Sequence, residues 1–390
     1  MRILTRYILA DLLGIFLLSL VGMTALIFVV LVGKEAVEKG LGLEPLLQLL
    51  PYMVPQAMQF AIPGTMLLAT TSVYGRMSAA NEVVAIKSLG ISPWSIAWPT
   101  LALATIVSLT AVYVNDLAVS WGRLGAQRVV TNYIEQIVYG RLRTTSEYSQ
   151  GQFKINVRGV DGHRLIEPRL QWPGLKGGMI SAEEAEIHAD PAEGNLVIQA
   201  TDFVSEGNLN VFHPKHFTHT ISLDELFNTS RDKRSPSNHA LAEIDRAKES
   251  HYQQVQDLDQ ELAAGAAFAL LTGEYESLSK SAWQPRIDER RGLEGTLHRL
   301  HTEPYRRWAN GFSCFCFVLV GMPLAILRQK GEFLASFFMC FTPILLVYYP
   351  LLMFSVDRAK DGALPPATVW LGNTVLALWG MWMMRRVVRH

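Results

Sequence analysis

Six long stretches of the chain carry no Asp, Glu, Lys or Arg, and their spacing predicts the architecture. Each has about 20 residues or more, which is enough for a helix to cross about 30 Å of hydrocarbon. Short charged segments separate them, except for one long polar section in the middle of the chain. The sequence therefore predicts an integral membrane protein with six transmembrane helices. The stretches are Leu12–Gly33, Pro45–Gly75, Ser88–Asn115, Trp308–Leu327, Phe333–Val356 and Gly362–Met384.

The charges between the stretches predict the orientation. Basic residues are concentrated at the two termini and in the segments after the second and fourth spans, which the positive-inside rule assigns to the cytoplasm. The central section, from about Asp116 to Arg306, then lies outside. The first stretch is too long for a signal peptide, and Lys34 and Glu35 follow it without a small-residue cleavage site, so we expect a retained span. The basic residues are Arg2, Arg6, Arg76, Lys87, Arg328, Lys330, Arg385, Arg386 and Arg389.

The central section begins with a pattern of period two. Phe153, Ile155 and Val157 alternate with polar residues, which is typical of a strand with one buried face. Several antiparallel strands with no helix between them favour a sandwich or jelly roll. Further strands are expected at Arg164–Leu170, Met179–Ile187, Asn195–Ala200 and Val211–Leu223, with turn signals at Asp161-Gly162, Pro173-Gly174 and Glu193-Gly194.

After residue 235 the apolar residues return to helical spacing. Ser237 or Asn238 can cap a helix there, and Thr272-Gly273 marks a break before a second helical piece, so we expect a helical arm outside the membrane. The predicted fold is a membrane α-helical protein with an inserted all-β, jelly-roll-like domain. Its expected parts are transmembrane helices 1–3 in residues 1–115, the β domain in 116–234, the arm in 235–306, and transmembrane helices 4–6 in 307–390.

A polar passage between the second and third stretches predicts a short helix with its own start and stop. Ser78 can cap it and Gly90 can supply a left-handed end, which places the helix at residues 78–89. Ser92 and Pro93 then open the next helix. A helix of about three turns is too short to fold alone, so we expect this one to dock on a partner.

The sequence contains no recognisable nucleotide-binding or catalytic motif. The motifs GxxxxGK[ST], HExxH and GxSxG do not occur in it. No ionisable residue lies deep in a charge-free stretch, which argues against ion-coupled transport and intramembrane acid–base chemistry. The formal net charge of +0 gives no indication of nucleic-acid binding. If the protein moves a substrate, the energy comes from another subunit, and residues 78–89 are the expected contact.

Two groups of residues resemble metal or redox sites but have simpler explanations. His213, His216 and His219 recur at steps of three, and residues three apart on a strand face opposite sides, so they do not converge on a metal unless the chain bends. The three cysteines, Cys314, Cys316 and Cys340, all lie in the predicted spans four and five, where small apolar filler is the expected role. No disulfide framework is expected in the exported section.

Three segments resemble the LptF/LptG (YjgP/YjgQ) permease family. The first is VPQAMQFAIPGTMLLATTSVYGRMSAANEVVAIKSLGIS, the second is LHRLHTEPYRRWANGFSCFCFVLVGMPLAI, and the third is GALPPATVWLGN. In the second segment His298, Arg299 and Pro304 match the family, whereas Leu300 stands where many members carry a second basic residue. The order of spans and inserted domain is also similar, although the arm is longer than the usual connector.

The resemblance implies the membrane half of the lipopolysaccharide-export ABC transporter in a bacterial inner membrane. Glu82 resembles the acidic residue of the coupling helix that docks in a groove of the partner ATPase. Lys34 resembles a basic residue that contacts the lipid A headgroup in one of the two paralogues. The other residues expected at the ATPase contact are Arg76, Val83, Ile86 and Lys87.

The implied partners are a cytoplasmic ABC ATPase, a paralogous permease subunit or second copy, and a periplasmic jelly-roll bridge protein. The implied substrate is lipopolysaccharide or a related lipid, with no cofactor, metal or nucleic acid. Two other classes stay open from the residues alone. One is a membrane-anchored periplasmic scaffold, and the other is a lipid-modifying enzyme that uses the exported histidines. The third segment and the SAANEV loop lean towards LptF rather than LptG.

Overall fold

A computed structural model describes the chain in two compact units. The described residues are 2–39, 42–150, 153–171, 179–190, 195–206, 216–222, 235–273, 280–327 and 333–389. The first unit comprises Met1–Ile27, Pro55–Ser120 and Pro236–His390, and the second comprises Phe28–Val54 and Trp121–Ser235.

Long helices account for most of the first unit, and two of them, α1 and α2, continue into the second. The helices before the sheet are α1 (Arg2–Lys39), α2 (Leu43–Ala79), α3 (Glu82–Ser88), α4 (Pro93–Leu117), a π-helix (Ala118–Arg123), α5 (Leu124–Asn132) and α6 (Ile134–Thr145). Those after it are a 3₁₀ turn (Pro236–Asn238), α7 (Leu241–Thr272), α8 (Lys280–Leu327), α9 (Phe333–Pro343), a π-helix (Ile344–Tyr348), α10 (Tyr349–Lys360), a 3₁₀ turn (Pro366–Trp370) and α11 (Leu371–Arg389).

In the described part of the chain, four helical stretches are long and apolar enough to cross a membrane. They are Ile3–Val37, Pro93–Asn132, Trp283–Leu327 and Phe337–Lys360. The other two predicted spans are also helical, in α2 and α11, but they do not reach the same apolarity. Glutamine, threonine and proline dilute α2, and α11 has only 19 residues and ends in arginines. Four of the six predicted spans are therefore confirmed as apolar helices of membrane length.

The core of the first unit forms where helices approach closely. Side chains of α1, α2, α4, α8 and α11 share one buried apolar cluster, which includes Leu12, Met66, Ala104, Val318 and Met384. Glycine permits the contact between α11 and α8, because a Cβ on Gly380 would lie 2.6 Å from the Leu319 carbonyl oxygen. Small residues are typical of such contacts between membrane helices, where close backbone approach maximises van der Waals packing.

The second unit contains one antiparallel sheet. Its strands are β1 (Glu147–Gln150), β2 (Phe153–Asn156), β3 (Gly159–Asp161), β4 (Arg164–Ile166), β5 (Arg169–Gln171), β6 (Met179–Asp190), β7 (Asn195–Glu206) and β8 (His216–Ser222). The hairpin made by β3 and β4 continues into β2 and β5, with Tyr148 opposite Ile155 and Ile155 opposite Leu170. Both β4 and β5 pair with β6, which pairs with β7, and β7 pairs with β8.

The described strands form a meander. When β2 with β3, and β4 with β5, are each counted as one interrupted strand, every strand pairs with the next one in sequence. A jelly roll requires Greek-key crossovers, and the described strands contain none. The antiparallel β domain is confirmed, but the predicted sandwich or jelly roll is not. The predicted turn at Asp161-Gly162 is present, with Gly162 at φ 61°. The turns at Pro173-Gly174 and Glu193-Gly194, and residues 211–215 of the last predicted strand, lie outside the described residues.

Helix α6 closes the core of the sheet. Leu142 and Tyr139 of α6 are buried against sheet residues such as Ile155, Leu165 and Ile187. The Tyr139 hydroxyl donates to the His163 carbonyl at 2.5 Å and accepts from the Ile187 amide at 2.9 Å. Burial raises the pKa of Tyr139, because the phenolate would lose its hydration.

The predicted arm is a hairpin in which α7 runs antiparallel to the first half of α8. Tyr252 bonds to His301 at 2.8 Å, and Asp259 pairs with Arg290 at 2.7 Å. Gly273 ends α7 at φ 76°, as the Thr272-Gly273 break predicted. The predicted cap at Ser237 or Asn238 is wrong, since these residues form a 3₁₀ turn and neither side chain caps α7.

Candidate functional site

The short helix α3 lies between two residues in the left-handed conformation. Asn81 precedes it at φ 58° and Gly90 follows it at φ 77°. Asparagine and glycine tolerate this conformation, so the backbone can leave α2, make two turns and then enter α4. Ser92 accepts the amide of Trp94, with Pro93 at the first helical position, as the sequence predicted.

Ser78 has a different role from the predicted one. It belongs to the last turn of α2, and its buried hydroxyl donates to the Ile326 carbonyl of α8 at 2.8 Å. The prediction that Ser78 caps a helix over residues 78–89 is therefore wrong, and α3 spans only Glu82–Ser88 without a side-chain cap. The serine joins the ends of α2 and α8 instead.

Three of the predicted contact residues are engaged within the chain. Val83 is 4% exposed and belongs to the core of the first unit. Lys87 donates to the Val387 carbonyl of α11 at 2.6 Å, and Arg76 pairs with Asp11 of α1. The contacts of Val83 and Lys87 hold α3 against the core and α11, while Arg76 joins the end of α2 to α1.

The outward side of α3 combines one acid with apolar side chains. Glu82 is partly exposed, and it makes no hydrogen bond or ion pair with any residue that the structure describes. Val84 is 49% exposed and Leu89 is 76% exposed, while Ile86 packs partly against the core. The sequence analysis did not include Val84 and Leu89 in the ATPase contact. Both are apolar residues in a polar passage, Val84 within α3 and Leu89 directly after its last residue, and that is the signal that could have added them.

Lys34 lies in a different part of the chain. It is exposed in the last two turns of α1, within the second unit. The neighbouring turns of α1 contribute Leu31 and Val32 to a small apolar cluster with Leu49 of α2 and Val129 of α5. The structure thus places Lys34 beside a packed helical end of the second unit, whereas α3 belongs to the first unit.

A buried charged cluster lies where α4 ends and the apolar half of α8 begins. Arg307 is fully buried and Glu303, one turn earlier, is 1% exposed. The Arg307 guanidinium donates to Asp116 Oδ1 at 2.8 Å and to the His239 carbonyl at 2.6 Å. Its Nε lies 3.7 Å from Glu303 Oε2, the oxygen to which Arg306 donates at 2.7 Å. Two cations and two anions balance, which makes their burial tolerable.

The charged cluster also holds the start of the arm. The Leu241 amide, at the first residue of α7, donates to Asp116 Oδ1 at 2.8 Å, so an aspartate from α4 replaces the predicted local cap. The Ser237 carbonyl accepts a further bond from Arg307 at 3.3 Å. Sequence reasoning missed this cluster. Its signal was that Asp116 and Arg307, of opposite charge, directly adjoin two charge-free stretches.

The candidate metal and redox residues do not form a site among the described residues. His213 lies outside them, whereas His216 and His219 occupy β8 opposite Thr201 and Ile198 of β7. In the described ranges no group of three or more His, Cys, Asp or Glu side chains could hold a metal ion. Cys314, Cys316 and Cys340 are buried free thiols in apolar surroundings.

The fold and the site define a multi-pass membrane protein with an inserted antiparallel β domain. Comparison with family models then identifies it further. The chain belongs to the family of the lipopolysaccharide export system permease LptF/LptG, whose model matches residues 6–386. It is therefore an inner-membrane permease component of lipopolysaccharide transport and not a catalytic enzyme. No curated protein matches the chain. Leu300 is fully buried.

Proposed function

We propose that this chain is the membrane-spanning subunit of an ABC exporter and that a separate cytoplasmic ATPase drives it. The exporter extracts lipopolysaccharide, or a related envelope lipid, from the inner membrane and passes it to a periplasmic bridge protein. The arrangement of α3 is the observation that carries this proposal. A short helix between two long ones is fixed on one side and presents an acid with apolar neighbours on the other.

The ATPase contact is centred on Glu82 in this proposal. The exposed Val84 and Leu89 add apolar surface to this segment, which a partner can bury at about 25 cal/mol per Å². Val83 and Lys87 transmit a movement of α3 to the membrane helices through their contacts with the core and α11, and Arg76 couples α2 to α1. Ile86 lies at the boundary between these two sets. Charge at the rim of such a contact contributes to specificity and association rate.

A second permease subunit covers apolar helices that the single chain leaves open. Only 6% of the most apolar window of Ile3–Val37 is buried, and 17% of that of Phe337–Lys360, against 72% for Trp283–Leu327. Lipid covers part of this surface. In our proposal the remainder pairs with a paralogous permease or a second copy, and the two subunits enclose a lateral cavity for the lipid substrate.

The path of the lipid follows from this arrangement. ATP binding closes the ATPase dimer, moves the two α3 helices and collapses the cavity, so that the lipid leaves towards the periplasm. There the antiparallel β domain receives it. Lys34, exposed near the end of α1, supplies a cation for a headgroup phosphate.

This proposal implies a definite topology. Both termini and α3 face the cytoplasm, six helices cross the membrane, and the β domain and the helical arm are periplasmic. In this arrangement α2 and α11 cross within a helical bundle, where neighbouring helices accommodate their polar residues. In this proposal the functional divisions are transmembrane helices 1–3 in residues 1–115, the β domain in 116–234, the arm in 235–306, and transmembrane helices 4–6 in 307–390.

Purification from native membrane tests the proposal. The tagged chain should be extracted into native-lipid discs without harsh detergent, and the proteins that elute with it identified by mass spectrometry. We expect an ABC ATPase and a second LptF/LptG-type permease in stoichiometric amounts. Recovery of the chain with neither protein, from cells in which both are expressed, would overturn the proposal.

A further inference from the structure

A groove of about 380 Å³ lies between the first turn of α1 and the first two turns of α4. Leu4 and Thr5 form one wall, and Trp94, Ser95 and Trp98 form the other. All these residues belong to the first unit. The volume is near the lower end of the range for small-ligand sites, about 300–1,000 Å³.

The groove lies at the surface of the membrane, whichever way the chain is oriented. The two apolar helices that flank it begin at Ile3 and at Pro93, so both enter the hydrocarbon from this level. Trp94 and Trp98 are four residues apart and therefore share one face of α4, where they are 41% and 70% exposed. Tryptophan is enriched at this depth because its ring sits among the headgroups.

The chemistry of the walls fits a phospholipid. The apolar side chains suit an acyl chain, and the Thr5 and Ser95 hydroxyls lie in the same lining. Arg6 follows Thr5 on α1, is exposed, and pairs with no acid in the described part of the chain. An arginine at the headgroup level attracts a lipid phosphate, and its fork geometry favours bidentate bonds to it.

We propose that this groove is a site for a membrane phospholipid, separate from the path of the exported lipid. One acyl chain lies between α1 and α4, and the phosphate lies at Arg6. The bound lipid also contacts Ile91, whose amide donates to the Ile86 carbonyl of α3 at 3.3 Å. The lipid therefore stabilises the connection between α3 and α4. The site itself depends only on the membrane helices, and its effect on ATP hydrolysis rests on the proposed function.

A groove-filling variant tests the site. Ser95→Phe places a ring in the groove, and Thr110→Phe places one on an exposed turn of the same helix, away from the groove. Each protein is purified in detergent, incubated with anionic or zwitterionic phospholipid or with lipopolysaccharide, and weighed by native mass spectrometry. We expect the unmodified chain and Thr110→Phe to retain one phospholipid that Ser95→Phe loses, with anionic lipid retained most strongly. Equal retention in all three, or retention of lipopolysaccharide alone, overturns the site.

A second measurement does not depend on how Ser95→Phe folds. The full chain is placed in lipid discs that contain phospholipid brominated along the acyl chain, which quenches nearby tryptophans. We expect quenching in the wild type to be larger than in Trp94→Phe/Trp98→Phe, and addition of unbrominated anionic phospholipid to reverse that difference. No difference between the two proteins would contradict the site. Binding of the ATPase to Glu82 variants is measured independently of lipid quenching. The phospholipid site and the proposed ATPase contact can therefore fail separately.

Discussion

Replacing Arg307 removes the centre of the buried charged cluster. Arg307→Met keeps an unbranched side chain but deletes three charge-assisted bonds, one to Asp116 and two to the Ser237 and His239 carbonyls. A hydrogen bond that involves a charged group is worth about 1.5–3 kcal/mol. Breaking a buried ion pair on one side costs about 3–5 kcal/mol. Here Asp116 loses its guanidinium partner, whereas Glu303 keeps the bond from Arg306.

Thermal unfolding of the purified chain measures this loss. At about 2 cal/mol/K of unfolding entropy per residue, 3–5 kcal/mol lowers the Tm by about 4–6 °C for 390 residues. Arg291→Met is the matched control, since Arg291 is 69% exposed and pairs with Asp288, itself 57% exposed, at 3.4 Å. Its cost should stay within about 1 kcal/mol, or roughly 1 °C.

The position of the damage is as informative as its size. The Leu241 amide and the other amides of residues 237–241 should exchange hydrogen faster in Arg307→Met, because the cluster holds the start of the arm. Asp116→Asn combined with Arg307→Met should cost less than the sum of the two single changes, since both disrupt one interaction. Equal Tm values for the two arginine variants, or unchanged exchange at 237–241, would refute the assignment of Arg307 as the centre of this cluster.

Two further predictions concern other parts of the fold. Burial raises the pKa of Tyr148 from 10.0 to about 12, so the stability that this neutral tyrosine contributes is present below pH 10 and falls by about 2–3 kcal/mol as the pH rises to 12. Tyr148→Phe should flatten that part of the curve of unfolding free energy against pH, and an unchanged curve would contradict the burial. Gly380→Ala should destabilise the chain by about 1–3 kcal/mol because its Cβ meets the Leu319 backbone, whereas Gly14→Ala, with nothing within 4 Å, should be neutral or stabilising. Equal unfolding midpoints for these two alanine variants would argue against close packing of α8 and α11.

Local signals in the sequence predict local structure well. Gly90 and Gly273 adopt the left-handed conformation that helix ends favour, and Ser92 and Pro93 begin α4 as expected. The period-two pattern around Ile155 gives a strand. Each of these features depends on neighbours within a few residues, so the sequence alone contains the necessary information.

Predictions fail where a distant residue supplies the partner. Ser78 has the right chemistry for a helix cap, but its hydroxyl bonds to a carbonyl 248 residues away. The amide that begins α7 bonds to Asp116, 125 residues away, so Ser237 and Asn238 are not needed as caps. The order of strands is a similar case, because alternation predicts strands but not whether successive ones lie side by side. The described strands pair as a meander, and the predicted jelly roll is not confirmed.

The candidate site shows the same difference between features set by neighbouring residues and features set by distant ones. Composition predicts a short helix with Glu82, but the side chains that face outward depend on which of its faces packs on the core. The burial of Val83 and the bond from Lys87 to Val387 determine that face, and they leave Val84 and Leu89 exposed. No pattern within residues 78–89 specifies a contact with α11, which lies some 300 residues further along the chain.

Binding of the ATPase to Glu82 variants tests the central claim most directly. Glu82→Arg reverses the charge on the outward side of α3, and Glu249→Arg makes the same change on an exposed residue of the arm. Affinity for the purified ATPase is measured with each variant in lipid discs. Loss of about 2 kcal/mol or more, roughly 30-fold in Kd, is expected for Glu82→Arg, and wild-type binding for Glu249→Arg. Wild-type affinity for both would contradict the assignment of α3 as the ATPase contact.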